Sequence, residues 1–365
     1  QIIHRALDIP VVAVGNINTI EAAEDIIANN RASIVAMARS FLADMDFVKK
    51  AYRGEAEKIR PCLRCIECAA RPAYGGGVRC AVNPQLGRET KYASIGRTFE
   101  PKKVLIIGGG PAGMQAAQVA SRRGHDVVLY EKQQQLGGRL REASALFKKA
   151  DTHKRYLEWD IAATNDCGAR IELGTEFTAA VAAAEKPDVI INASGGLHVK
   201  PNILGIESAK VVSISDAELK LAPVGKRVAV LGGGISGLEG AIQLAHEGHE
   251  VTIIDRFPVN KLWREVMDEL RSGLIEQMLL HNVEIIDDAT IISISDECVQ
   301  YRKQSGELGK LQADTYVMSF GIKTDKEFNQ MVNDLIPDVH VVGDAREPHN
   351  IFWANMDAFN VAVEI

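Results

Sequence analysis

A chain of 365 residues has room for two or three domains of ordinary size. Its 46% apolar and 25% charged residues and net charge of −6 are those of a globular protein. They exclude nucleic acid as an expected partner, because neutralising phosphates takes clustered cations and no basic block occurs. The most apolar stretches, residues 104–107 and 189–191, fall far short of the roughly 18 residues that span a bilayer.

The chain opens on Gln1 and stops at Ile365 inside an apolar pattern, so a piece of a longer protein is expected. Residues 9–15, Ile-Pro-Val-Val-Ala-Val-Gly, read as a strand buried on both faces. A helical pattern over 19–29, a second apolar run at 33–38 and a helix over 41–52 follow, in the order β-α-β-α. Two such units alone neither close a barrel nor cover a sheet.

Residues 59–100 are rich in Pro, Gly, Cys and Arg, without periodicity, and read as a loop held by something other than a core. Four of the six cysteines of the chain lie within it: Cys62, Cys65, Cys68 and Cys80, spaced C-x2-C-x2-C-x11-C. Such crowding indicates metal ligation in a reducing compartment rather than disulfides, and the cytoplasm is the expected location. Three thiolates on one tight loop and a distant fourth suit the corners of a [4Fe–4S] cubane. A structural zinc ion is the alternative, although zinc ligands more often come as two separated pairs. Cys167 and Cys298 stand alone and read as small buried apolar residues. His4, His125, His249 and His349 are not spaced as a metal set.

An internal repeat comes next. Residues 103–132 read KVLIIGGGPAGMQAAQVASRRGHDVVLYEK, and residues 227–256 read RVAVLGGGISGLEGAIQLAHEGHEVTIIDR. They align without a gap as strand, glycine turn, helix and strand. Gly108, Gly110 and Gly113 make one G-x-G-x-x-G motif, and Gly232, Gly234 and Gly237 the other. The first glycine permits the tight turn, the second lets backbone approach a pyrophosphate, and the third packs helix against strand. Glu131 and Asp255 each lie 23 residues after the first glycine, where a carboxylate accepts ribose hydroxyls. Asp255 would repel a 2′-phosphate, which favours NADH, but the adjacent Arg256 leaves NADPH open. Strands at 311–320 and 338–344 return after the second unit, which therefore reads as inserted into the first.

Glu131 is followed by Leu136-Gly137-Gly138-Arg139-Leu140, a segment absent after Asp255, and residues 341–344 read Val-Val-Gly-Asp. With Asn192-Ala193-Ser194-Gly195-Gly196, this resembles the FAD domain of the two-dinucleotide-binding flavoprotein reductases. That likeness implies that Gly138 and Arg139 lie along FAD, that Asp344 holds its ribitol chain, and that the helix after residue 350 points its N-terminus at the flavin; a plain packing helix is the alternative. The second unit is then the nicotinamide nucleotide site.

The whole order, from barrel end through the cysteine spacing to FAD and nucleotide domains, resembles the family of 2,4-dienoyl-CoA reductase, 2-enoate reductase and trimethylamine dehydrogenase. The resemblance implies an α/β protein: 1–58 as the last units of a (β/α)8 barrel, 59–100 as the iron–sulfur loop, 101–215 with 320–365 as the FAD domain, and 216–319 as the NAD(P) domain. It also implies FMN, with Gly15, Asn16, Ala38 and Arg39 at its phosphate; a plain surface cation is the alternative for Arg39. The expected function is an oxidoreductase passing electrons from NADH through FAD and the cluster to FMN, which reduces an activated C=C bond of a small-molecule substrate. A homo-oligomer is expected. An amine dehydrogenase feeding an electron-transfer protein is the competing direction, and a zinc-stabilised, non-catalytic nucleotide-binding module the competing class. No residue of this chain is expected to act as catalytic acid or base.

Overall fold

The apolar runs of the sequence become strands in the computed structural model, which describes residues 2–73, 75–92, 95–264 and 266–365. In chain order they are β1 (Val12–Val14), β2 (Ile34–Ala36), β3 (Lys103–Ile107), β4 (Asp126–Glu131), β5 (Arg170–Leu173), β6 (Val189–Asn192), β7 (Gly196–His198), β8 (Val211–Ser213) and β9 (Arg227–Leu231). They continue with β10 (Glu250–Ile254), β11 (Glu284–Ile286), β12 (Ala289–Ile294), β13 (Val299–Lys303), β14 (Leu308–Leu311), β15 (Thr315–Met318), β16 (Ile322–Thr324) and β17 (Val339–Val341). The fold is α/β, and the chain divides into two compact units, 1–140 with 151–195 and 324–365, and 141–150 with 196–323.

The first unit carries a five-stranded parallel sheet in the order β17-β6-β3-β4-β5. Its central strands are fully buried on both faces, as continuous Val/Leu/Ile runs dictate. Helix Pro111–Arg123 packs on one face with helix Ile351–Ala362, through Met114, Ala117, Ala358 and Phe359. It starts with Pro111 at its first turn and stops at Gly124, whose φ of 94° is the left-handed conformation of a helix end. The other face is covered by Phe177, Ala182 and Val332.

The same unit contains β1 and β2, a parallel pair in the register Val12↔Ile34, joined through helix Ile20–Ala28. The expectation that this first strand is buried on both faces is corrected: Val12 and Val14 are exposed, and among the described residues β1 pairs with β2 alone. The helix expected over 41–52 is two helices, Arg39–Ala43 and Phe47–Tyr52. Asp44 separates them. Its buried carboxylate accepts from Lys50 Nζ at 2.6 Å and from the Arg60 amide at 2.8 Å, a tie to the residues just ahead of the cysteines.

The second unit repeats the arrangement with a parallel sheet in the order β11-β10-β9-β15-β8 and an antiparallel meander β12-β13-β14. Because β8 pairs with β15, residues 196–215 belong to this unit. The boundary expected after residue 215 therefore moves to residue 195. Helix Ile235–His246 packs over β9 and β10 through Leu238, Ala241 and Ile242. Among the described residues no helix is long and apolar enough to cross a membrane.

Candidate nucleotide and thiol sites

Each glycine-rich turn lies at the carboxyl end of the central strand of its sheet, where a parallel α/β sheet opens its binding crevice. Gly108 has a φ of 97°, and a Cβ there would meet the Ala193 carbonyl oxygen at 2.5 Å. At Gly113 a Cβ would lie 1.8 Å from the Gly108 oxygen. The second turn copies this: Gly232 has a φ of 106°, and a Cβ on Gly237 would lie 2.1 Å from the Gly232 oxygen. By contrast, a Cβ on Gly110 would meet only the Gly138 Cα, at 3.9 Å, and one on Gly234 would meet nothing within 4 Å. The middle positions border open space, as an approaching pyrophosphate requires.

The two carboxylates are matched just as closely. Glu131 Oε2 accepts the Gly109 N–H at 2.7 Å and Oε1 the Gln133 N–H at 2.7 Å. Asp255 Oδ2 accepts the Gly233 N–H at 2.6 Å and Oδ1 the Phe257 N–H at 2.8 Å. These bonds fix each carboxylate beside its turn and leave further lone pairs for two ribose hydroxyls.

Around the first turn gather the other residues expected to hold FAD. The Gly137 N–H donates to the Gly109 oxygen at 2.8 Å, which lays the Gly-Gly-Arg segment across the turn. Gly138, with a φ of 48°, sits so close that a Cβ would be 2.9 Å from the Gly110 Cα. Gly343 packs against the first turn of helix Pro111–Arg123, where a Cβ would be 3.0 Å from that of Ala112, and so delivers Asp344 to the same place. Burial raises the pKa of Asp344, opposed by the His349 N–H and the nearby charge of Arg139. Asn192, the first residue of the segment compared with the FAD domain, and Asn329, which no motif flags, brace this corner. Asn192 Oδ1 accepts the Ser194 N–H, its Nδ2 donates to Asn329 Oδ1 at 2.8 Å, and Asn329 Nδ2 donates to the Ala345 oxygen at 2.7 Å.

The four cysteines line one cavity of the first unit, together with Arg39 and Leu42. Arg64 and Ile66 have φ of 57° and 53°, left-handed values uncommon outside glycine. Alternation of this kind turns successive amides inward, a habit of iron–sulfur and phosphate loops. The Arg64 N–H donates to Cys62 Sγ at 3.3 Å. Burial pushes the Cys65 thiol up to about 12, against the Glu67 amide that favours its thiolate. It likewise raises Cys68 and Cys80, the latter against the amides of Val82 and Asn83. Thiolates in such a place call for a compensating cationic group. Among the described residues, no three His, Cys, Asp or Glu converge as the ligand set of a single metal ion. A tetrahedral zinc site would bring its sulfurs within about 4 Å of one another, at Zn–S of roughly 2.3 Å.

Gly15, Asn16, Ala38 and Arg39 meet around a second cavity of about 150 Å³, which Cys62 and Arg64 also line. Arg39 and Cys62 therefore border both cavities. Arg64 was not foreseen here. It donates to Asp151 Oδ2 at 2.7 Å and, in the amide orientation that satisfies both groups, to the Asn18 oxygen. Two of the isolated histidines are braces: the Lys102 N–H donates to His125 Nδ1 at 3.1 Å, and His249 Nδ1 bonds the Gly225 oxygen at 2.7 Å, each ahead of a central strand.

A pyridine nucleotide-disulphide oxidoreductase family model matches residues 102–346, most of the chain. The chain belongs to that family. Membership implies FAD and a nicotinamide nucleotide. Residues 1–58 match the NADH:flavin oxidoreductase / NADH oxidase family, which implies FMN. The NADH oxidase of Thermoanaerobacter brockii is 35% identical over 370 residues, covering 100% of this chain and 56% of the relative. The cinnamate reductase of Clostridium sporogenes is 32% identical over 368 residues, covering 100% of this chain and 54% of that protein. Among solved structures, a 2-naphthoyl-CoA reductase complexed with 2-naphthoyl-CoA superposes with a TM-score of 0.92 at 28% identity, covering 99% of this chain and 55% of its own. The resemblance to the 2,4-dienoyl-CoA and 2-enoate reductases thus holds, and the chain spans about half the length of the curated relatives it matches.

Proposed function

We propose that the chain is the electron-input portion of an NADH-dependent flavin oxidoreductase that reduces an activated carbon–carbon double bond of enoate or enoyl-CoA type. When bound, FAD, a [4Fe–4S] cluster and FMN supply hydride acceptance, one-electron relay and delivery to substrate. The chain's own residues hold these groups and orient the nucleotide.

Gly108, Gly110 and Gly113 admit the FAD pyrophosphate, Glu131 takes its adenosine ribose, and Gly138, Arg139 and Asp344 lie along the rest. Gly232, Gly234 and Gly237 do the same for the nicotinamide nucleotide. Asp255, pinned by two backbone amides, keeps negative charge where the 2′-phosphate of NADPH would lie, which favours NADH. Cys62, Cys65, Cys68 and Cys80, which line one cavity, hold the cluster. Gly15, Asn16, Ala38 and Arg39 take the FMN phosphate.

The observation that carries this reading is the repetition of one geometry: Glu131 on Gly109 and Asp255 on Gly233, each beside an open glycine. The test is a binding count. Protein loaded with FAD is expected to take up one equivalent of NAD⁺, which cannot reduce the flavin, in equilibrium dialysis, and NADP⁺ more weakly. Failure of the FAD-loaded protein to bind NAD⁺ would overturn the reading.

A further inference from the structure

Trp263 is a residue of the second unit that no motif accounts for. It is buried, with 3% of its surface exposed, yet its backbone is left-handed at a φ of 59°. A bulky L-residue holds that conformation only where its surroundings impose it. One hydrogen bond goes with it: the indole Nε1–H donates to the Gly233 carbonyl at 2.7 Å.

Gly233 is thereby held at both ends, its N–H by Asp255 at 2.6 Å and its C=O by Trp263. Its carbonyl shares a planar trans peptide with the N–H of Gly234, so the two point in opposite directions. Fixing the first aims the second. The first repeat reaches the same result differently: Glu131 holds the Gly109 N–H, and the Gly109 carbonyl accepts from the Gly137 N–H at 2.8 Å. Gly137 belongs to the Leu-Gly-Gly-Arg segment that has no counterpart after Asp255.

We propose that Trp263 substitutes for that missing segment, its indole N–H locking the Gly233 peptide so that the Gly234 N–H faces the pyrophosphate of the nicotinamide nucleotide. Trp263 is then a positioning residue, and the inference rests on the second unit being the NADH site. The surroundings of Gly234 agree. It is exposed, a Cβ there would meet nothing within 4 Å, and it caps the 12-residue helix Ile235–His246, whose N-terminus favours an anion.

Calorimetric titration of the FAD-loaded protein with NAD⁺, ADP-ribose and adenosine tests this. Trp263→Phe keeps a ring but loses the donor. It is expected to weaken NAD⁺ and ADP-ribose roughly three- to tenfold, the worth of one hydrogen bond, while adenosine binding and FAD content stay as in the wild type. Trp263→His, which returns an N–H to the site, is expected to recover part of the loss. Unchanged NAD⁺ affinity in Trp263→Phe, or equal weakening of adenosine, would overturn the proposal and leave Trp263 a packing residue. Wild-type protein that binds neither NAD⁺ nor ADP-ribose would instead sink the nucleotide reading beneath it.

Discussion

The Arg139 guanidinium stands within electrostatic reach of the Asp344 carboxyl and works against the burial that raises that carboxyl's pKa. One residue comes from the segment laid across the first glycine turn, the other from the turn after β17. Arg139→Ala removes the opposing charge and a cation beside the FAD cradle. It is expected to weaken FAD retention about tenfold, the scale of one charge-assisted contact, read as flavin lost on exhaustive dialysis. Retention equal to wild type would place Arg139 outside the cradle.

The two glycine turns should fail independently. A methyl on Gly113 would lie 1.8 Å from the Gly108 oxygen, and one on Gly237 would lie 2.1 Å from that of Gly232, so backbone must move in either case. Gly113→Ala is expected to cost FAD binding. Gly237→Ala is expected to spare FAD and cost NADH affinity by roughly five- to a hundredfold, an order-of-magnitude figure for overpacking of about 1–3 kcal/mol. Flavin absorbance and NADH titration on both variants separate the outcomes.

Replacing Cys65 with serine takes one of four thiols from the shared cavity. Burial already pushes this thiol up to about 12, so its thiolate form depends on the charge of what it binds. The expected outcome is loss of iron and of acid-labile sulfide, with FAD still bound at its own turn. Full iron content in Cys65→Ser, or zinc in place of iron in the wild type by elemental analysis, would contradict the cluster assignment.

Behind the cysteine loop, Asp160 is 1% exposed and accepts from Gln118 Nε2 at 2.7 Å. Burial pushes its pKa up to about 7, against Gln118 and the charge of Arg60. The folded state therefore binds this proton more tightly than the unfolded state does. Its contribution to stability is constant below about pH 4, falls as pH rises toward 7, and levels off above that. Asp160→Asn lacks this decline. Its stability relative to wild type is expected to rise across that window by up to roughly 4 kcal/mol. Denaturation of both proteins at about pH 5 and about pH 8 checks it; a pH-independent difference would show that Asp160 does not titrate in this range.

Much of the nucleotide geometry is legible in the sequence because it is local. Gly108, Gly113 and Glu131 sit on one strand–turn–helix–strand unit, and their spacing sets their meeting. The same holds for Gly232, Gly237 and Asp255. What is not legible depends on partners remote in the chain. Nothing near Trp263 announces that its indole will reach Gly233, and nothing near Asn329 announces its link to Asn192. The helical pattern over 41–52 hides the break at Asp44, because the amide that captures this carboxylate belongs to Arg60. The boundary after residue 195 escapes for a similar reason: β8 reads as an ordinary strand, and only its pairing with β15 assigns it to the second unit. Exposure of β1 is a matter of neighbours, since an apolar run does not specify how many strands flank it.

The most direct test of electron input at the second glycine turn is anaerobic addition of NADH to protein carrying FAD, followed in the flavin absorption band. The account predicts that NADH bleaches the band stoichiometrically and that Gly237→Ala slows the bleaching while its FAD remains in place. A band unchanged at saturating NADH, in protein whose FAD is reduced by dithionite, would contradict it and favour electrons arriving from a substrate at FMN and leaving to an electron-transfer protein.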